Sequence, residues 1–322
     1  MPLMNAAVVD NFSNPPRYAD FPDPTPAPGQ NLITVTAAGL SQLVKGQAAG
    51  RHYSSGGVLP FVPGADGIGR LEDGQRVYFA FPTAPFGSMA ERTVVAAAQC
   101  IPVPDNVDDV TAAAAANPGM SSWAALVERA HFVAGESVLI HGATGTSGRL
   151  AIQIARHLGA KTILATSRNA ASIEPLSALG ADIVLPLDQP ADALTQTLRG
   201  AIKDHAVNVI LDYLWGPPAE RLLEAISGHG SGSGEPRIRY VQIGSIAGKT
   251  ITFPAEALRS TGLEVLGSGL GSVSNAGLLR SISGVLNAIV PGKFQIEAET
   301  VPLADVTEAW TRASAKRIVF TP

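Results

Sequence analysis

The run Ser137-Val138-Leu139-Ile140-His141 leads into Gly142-Ala143-Thr144-Gly145-Thr146-Ser147-Gly148 and then into the apolar stretch Leu150-Ala151-Ile152-Gln153-Ile154-Ala155. A buried strand, a tight glycine turn and a helix in that order are the setting of a dinucleotide site. The free N–H groups of the helix's first turn can hold a pyrophosphate. Ala143-x-Gly145-x-x-Gly148 stands where the usual fingerprint has Gly-x-Gly-x-x-Gly, with Ala in place of the first glycine. The expected pyrophosphate contacts are Thr144, Gly145, Thr146, Ser147 and Gly148.

Cofactor choice is set about 20 residues further on, where an acidic side chain would hold the ribose hydroxyls of NAD. The second strand ends instead at Ala165-Thr166-Ser167-Arg168. Arg168 offers a planar cation and Ser167 a hydroxyl donor, a pair suited to a 2′-phosphate, so NADPH is the expected cofactor. The plainer reading of Arg168 is a solvated surface charge.

These groups must be positioned by a larger frame. A chain of 322 residues exceeds what one core usually holds and predicts two domains. The first third reads as short strands, such as Leu32–Thr36 and Gln75–Phe79, broken by Pro-Ala-Pro-Gly and Glu-Asp-Gly turns, a barrel-like pattern. Near Asp109 the pattern changes to the alanine run Ala112–Ala116 and a helical stretch through Trp123 and Leu126. From Ser137 strands and helices alternate: strands at 137–141, 162–166, 183–185, 207–212, 240–243 and 264–267, with helices running to Leu158 and lying near Ala178. That alternation requires a parallel sheet with crossovers. A further helix is expected over Ala276–Ile289, and the Gly/Ser run 228–234 is expected to be a surface loop of the sheet domain.

Composition narrows the function classes. The chain is 46% hydrophobic and 16% charged, with net charge -4, which gives no basic footprint for nucleic acid. No segment approaches the roughly 20 apolar residues that span a bilayer, and there is no basic run followed by an apolar block at the N-terminus. Neither a nucleic-acid nor a membrane partner is expected. The single cysteine, Cys100, cannot form an internal disulfide, so a cytoplasmic setting is expected.

Taken with Ala37-Ala38-Gly39-Leu40-Ser41, Leu59-Pro60-Phe61-Val62-Pro63-Gly64-Ala65-Asp66-Gly67-Ile68-Gly69 and Leu179-Gly180-Ala181-Asp182, these motifs make the chain resemble the medium-chain dehydrogenase/reductase superfamily, in its zinc-independent quinone oxidoreductase and enoyl reductase branch. The resemblance implies an α/β protein: a GroES-like β-barrel domain (1–116 and 267–322) with a Rossmann doubly wound parallel sheet (117–266) inserted. It places Ser121 where a Thr commonly lies beside the nicotinamide, Ser41 where the active-site loop often has Asn, and Tyr53 where an aromatic hydroxyl lines the substrate pocket. Ile243-Gly244 and Gly267-Ser268 match strand ends that flank the nicotinamide. Plainer readings remain: Ser121 as a helix cap, Tyr53 as loop packing, the glycines as turn formers.

Zinc-dependent relatives would have Cys at Ser41, Gly-His-Glu at 64–66 and a four-cysteine lobe, and none of these is present, so no metal is expected. Asp often found at Val44 and Tyr often found at Leu187 are also replaced, and the stretch 69–75 is shorter than usual. The implied activity is hydride transfer to a small-molecule quinone or enone. The alternatives are a non-catalytic NADPH-binding sensor or structural protein, and a carbonyl or alcohol dehydrogenase. A homodimer is expected through the unpaired edge of the strand at 264–267.

Overall fold

A computed structural model describes residues 2–51, 55, 58–227, 236–314 and 316–322. The chain forms two units, Met1–Asn117 with Ile296–Pro322, and Pro118–Gln295.

The first unit starts with the antiparallel pair β1 (Leu3–Val8) and β2 (Arg17–Pro22), followed by β3 (Gln30–Gly39), α1 (Gln42–Ala48), β4 (Asp66–Arg70), β5 (Arg76–Ala80), β6 (Arg92–Ala96) and β7 (Cys100–Pro102). The expected strands at 32–36 and 75–79 fall within β3 and β5. Helix α2 (Asp109–Trp123) begins where the composition changes, and its residues Ala112–Ala116 are all fully buried. The small alanine methyls allow close approach without loss of helix propensity. The chain passes to the second unit within α2, between Asn117 and Pro118.

The second unit is built on crossovers. In order come β8 (Ser137–His141), α3 (Thr146–His157), β9 (Ile163–Ser167), α4 (Ile173–Ala178), β10 (Ile183–Pro186), α5 (Ala191–Asp204), β11 (Val207–Asp212), α6 (Gly216–Ile226), β12 (Arg237–Gln242), α7 (Ala255–Arg259), β13 (Gly262–Gly267) and α8 (Asn275–Ala288). The six strands are parallel in the order β10-β9-β8-β11-β12-β13. Every residue of β8 is buried, as a strand covered on both faces requires. The core around Leu139, Leu164, Leu198, Ile210, Leu222 and Tyr240 ties the sheet to α5 and α6.

The chain returns to the first unit at Ile296 rather than at 267. The reason lies in α8, which packs within the second unit. A Cβ on Gly284 would lie 2.4 Å from the Trp123 ring, and one on Gly119 would lie 2.8 Å from Val285. Gln295 N–H donates to Gln153 Oε1 at 2.6 Å, holding the exit to α3.

Strands β14 (Ala298–Pro302) and β15 (Arg317–Thr321), with α9 (Val306–Thr311) between them, complete the first unit. Its seven-stranded sheet runs β14-β15-β3-β4-β5-β7 with β6 on β3, so both chain ends build one sheet. Met4, Phe21, Val44, Leu303, Trp310 and Phe320 form its main core.

Candidate functional site

The glycine turn after β8 departs from the expected fingerprint in one respect. Gly142 adopts φ +92°, and a Cβ there would lie 2.7 Å from Leu214, so Gly142 rather than position 143 carries the tight turn. Ala143 is buried behind it, with its N–H on the Thr166 carbonyl at 3.0 Å. Gly148 permits close packing of α3, because a Cβ there would lie 2.6 Å from Ala143 Cα and Gly142 O. At Gly145 the situation is reversed: nothing lies within 4 Å of a Cβ. Gly145 is also the N-cap of α3 and offers no side-chain cap bond, and the first turn holds no acidic residue. The helix therefore starts at an open face, its first N–H groups without a side-chain cap among the described residues and with positive dipole character. Thr144 is exposed, while Thr146 and Ser147 are half-buried.

On the neighbouring strand, Arg168 is exposed, and no ion pair or hydrogen bond engages its guanidinium among the described residues. Ser167 is buried and its hydroxyl donates to Asn169 O at 2.8 Å, so it shapes the turn that presents Arg168. Beneath both, Thr166 Oγ1 accepts from Gly142 N–H at 2.9 Å and lies 2.9 Å from His141 Nδ1. His141 is fully buried, and that burial holds its pKa below the usual histidine range against the pull of the Asp212 carboxylate.

Asp212 closes β11 and organises the strand ends beside it. Its carboxylate accepts from Leu214 N–H at 2.8 Å, from Trp215 N–H at 3.2 Å and from the Tyr240 hydroxyl at 2.7 Å. Its carbonyl accepts from Ile243 N–H at 2.8 Å and Gly244 N–H at 3.1 Å. Gly244 has no room for a side chain, since a Cβ would lie 2.7 Å from Tyr213 O. Ser268 N–H donates to Gln242 O at 2.9 Å, and Gly267 O accepts from Arg129 Nε at 2.7 Å, which fixes the end of β13.

Ser121 lies inside α2 and does not cap it: its hydroxyl donates to Pro118 O at 2.6 Å. Its Oγ is also 3.2 Å from the Tyr213 hydroxyl. Burial pushes the Tyr213 phenol up to about 12, opposed by hydrogen bonds with Ser121 and Ser122. Sequence reasoning missed Tyr213. The signal available was its place directly after Asp212, at the end of a strand of the parallel sheet.

The first unit holds the remaining expected residues. Ser41 is buried and is the N-cap of α1, accepting from Val44 N–H at 3.1 Å. Tyr53 lies outside the described residues, as does the run 228–234. Asp66 is buried and accepts from Asn117 Nδ2 at 3.0 Å. Burial raises its pKa, while the Arg317 charge and hydrogen bonds from Asn117 and Tyr78 oppose the rise. Ser41 is thus committed to its helix and Asp66 to a buried polar network, and this donor set does not fit a zinc ion. Among the described residues no group of three His, Cys, Asp or Glu side chains could hold a metal, and no helix is long and apolar enough to cross a membrane.

Comparison with known proteins agrees with this frame. The family model of zinc-binding dehydrogenases matches residues 148–283. The chain is 28% identical to the probable NADPH-dependent quinone reductase tdiC of Emericella nidulans, over 99% of this chain and 100% of that protein. It is 34% identical to the quinone oxidoreductase of Homo sapiens over 50% of this chain, spanning only 52% of that protein. The solved mycobacterial quinone oxidoreductase superposes with a TM-score of 0.84 at 22% identity, over 99% of this chain and 100% of that one. With a GroES-like unit formed from both chain ends and a six-stranded Rossmann sheet, the chain has the fold of the medium-chain dehydrogenase/reductases and is similar to their quinone oxidoreductase branch.

Proposed function

We propose that this chain is an NADPH-dependent oxidoreductase that reduces a quinone or an α,β-unsaturated carbonyl by direct hydride transfer without a metal. The observation that carries the reading is the open, uncapped start of α3 at Gly145, together with the exposed guanidinium of Arg168, which no ion pair or hydrogen bond engages among the described residues. Backbone N–H groups of Thr146 and Ser147 would take the pyrophosphate, and Arg168 the 2′-phosphate. The likeness to a reductase named for NADPH and quinone supports the same choice. Ser167, with its hydroxyl already on Asn169 O, would serve by setting the turn rather than by binding phosphate.

When bound, the dihydronicotinamide supplies the hydride. The chain's part is to place the reacting ring and to stabilise the oxygen that gains charge. Ile243, Gly244, Gly267 and Ser268 at the carboxyl ends of β12 and β13 would flank the ring, with Gly244 letting this strand end pack against the Tyr213 backbone. Ser121 would provide a hydroxyl on the opposite side. Ser41, as a buried N-cap, would hold the start of α1 in place, and the role expected of Tyr53 remains a substrate contact.

The experiment is NADPH consumption measured against a panel of quinones and enones, before and after dialysis against a chelator. Turnover that survives the chelator supports the reading. Turnover that is lost and restored by zinc overturns the metal-free part, and tight NADPH binding with no turnover on any acceptor favours a sensor.

A further inference from the structure

The sheet reverses its strand order around β8: β9 and β10 lie on one side, and β11, β12 and β13 on the other. In open parallel sheets ligands bind at the carboxyl ends of the strands at such a reversal. Two residues mark that point, Gly142 after β8 and Tyr213 after β11. Tyr213 N–H extends the ladder by one bond, to His141 O at 3.0 Å. A Cβ on Gly142 would lie 3.5 Å from Tyr213 Cβ, and one on Gly244 would lie 2.7 Å from Tyr213 O, so Tyr213 sits between the glycine turn and the end of β12.

The direction of the hydrogen bonds follows from proton counting. Ser121 has one hydroxyl proton, and at 2.6 Å from Pro118 O it faces an atom that can only accept. In the 3.2 Å contact between Ser121 Oγ and the Tyr213 hydroxyl, the phenol is therefore the donor. The result is a chain of two donors, Tyr213 to Ser121 to Pro118. The Pro118 carbonyl is also placed to accept from the helix's own ladder, so it can release the Ser121 proton at small loss.

We propose that Tyr213 is a positioning residue for the reaction, its phenol holding Ser121 so that the Ser121 hydroxyl can turn from Pro118 O to the substrate oxygen that becomes negative as hydride arrives. The proposal rests on the reductase reading above. The exchange replaces a neutral hydrogen bond with a charge-assisted one, roughly twice as strong. Tyr213 goes on donating to Ser121 Oγ, and bonds in series strengthen one another by about 10–30%. A phenol pushed up to about 12 by burial stays protonated and remains a donor throughout the neutral range. No proton leaves Tyr213, so it need not be recharged between turnovers.

The test compares Tyr213→Phe, Ser121→Ala, the double variant and Ser121→Thr in the full chain loaded with cofactor. Tyr213→Phe is expected to lower kcat about 10-fold with KM for NADPH unchanged, and Ser121→Ala about 100-fold. The double variant should match Ser121→Ala within about 2-fold, because Tyr213 acts through Ser121. Ser121→Thr, which keeps the hydroxyl, should retain most activity.

A second readout needs no turnover: affinity of the NADP⁺-loaded protein for a substituted phenolate, followed by its absorbance shift. It should fall about 10-fold in Tyr213→Phe, with NADP⁺ affinity unchanged. Wild-type kcat and phenolate affinity in Tyr213→Phe, or single effects that multiply in the double variant, overturn the proposal while leaving the reductase reading intact. A wild-type protein that binds NADPH, reduces no quinone or enone and takes no phenolate overturns the reductase reading and the proposal with it.

Discussion

Gly145→Ala isolates cofactor binding from folding. Gly145 has φ −76° and ψ 167°, angles any residue adopts, and no atom lies within 4 Å of an added Cβ. Two folding terms oppose each other. Reduced freedom of the unfolded chain stabilises by about 0.4–1 kcal/mol. Alanine is a poorer N-cap than glycine, by about 0.5–1 kcal/mol. Their near cancellation predicts a shift in Tm under about 2 °C. If a pyrophosphate packs against this backbone, the new methyl overpacks that contact by about 1–3 kcal/mol, a factor of about 5–150 in Kd.

Gly148→Ala is the contrast. Its Cβ would lie 2.6 Å from Ala143 Cα and Gly142 O, so α3 must move and the loss of about 1–3 kcal/mol falls on stability itself. Thermal melts of both variants without cofactor, together with NADPH titrations followed by nucleotide fluorescence, separate the two. Wild-type NADPH affinity in Gly145→Ala would refute the placement of the pyrophosphate, and a large drop in its Tm would refute the reading of open space.

Three further outcomes are expected. Arg168→Ala should weaken NADPH about 10-fold in equilibrium titrations. It should leave NADH affinity and Tm unchanged, because Arg168 has no ion-pair or hydrogen-bond partner among the described residues; an equal effect on both nucleotides would reject the phosphate assignment. His141 has a folded pKa below its unfolded value, so its contribution to stability is complete above the ordinary histidine range and is lost as pH falls through the folded pKa. Melts between pH 7 and pH 5 should show a steeper decline for wild type than for His141→Gln, and parallel declines would exclude this residue. We also expect a homodimer through the outer edge of β13, where Val265 is exposed and Leu263 is buried in its own core. Light scattering should give a dimer for wild type and a monomer for Val265→Arg; wild type that is only monomeric at micromolar concentration removes the idea.

The parallel sheet was legible because most of its strands hold a short apolar run set off by turn residues, with β8 and β11 the clearest cases and β12, with Arg237 and Arg239, the weakest. Helices α5 and α6 were not named in advance, since Ala191–Asp204 and Gly216–Ile226 carry charges on one face and follow loops without strong caps. The glycine turn is recognisable by its context, but the sequence does not say which residue makes it. Sequence spacing cannot tell which glycine takes positive φ, whereas the clash with Leu214 at Gly142 decides it. The return to the first unit was read too early because an edge strand resembles a domain end, while the contacts of Gly119 and Gly284 with α8 are invisible in the sequence. Ser167 was paired with Arg168 on chemical type alone, and only the bond to Asn169 O gives its hydroxyl a different task. Tyr213 went unread because nothing in Leu211-Asp212-Tyr213-Leu214 marks its partner ninety-two positions away.

Asp212 gathers the amides of Leu214, Trp215, Ile243 and Gly244 and the Tyr240 hydroxyl onto one residue. The backbones on either side of Tyr213 are thereby held by an atom set that its side chain does not touch. Exchange of the tyrosine ring for a smaller group would therefore remove the phenol's contact with Ser121 while the scaffold stays put. The same freedom does not extend to the Asp212 carboxylate, whose loss would release the Leu214 and Trp215 amides and the Tyr240 hydroxyl, while the backbone carbonyl would still hold Ile243 and Gly244. A substitution at position 212 is thus felt in the turn at Leu214 and Trp215 and at Tyr240, while one of the side chain at position 213 leaves those bonds in place.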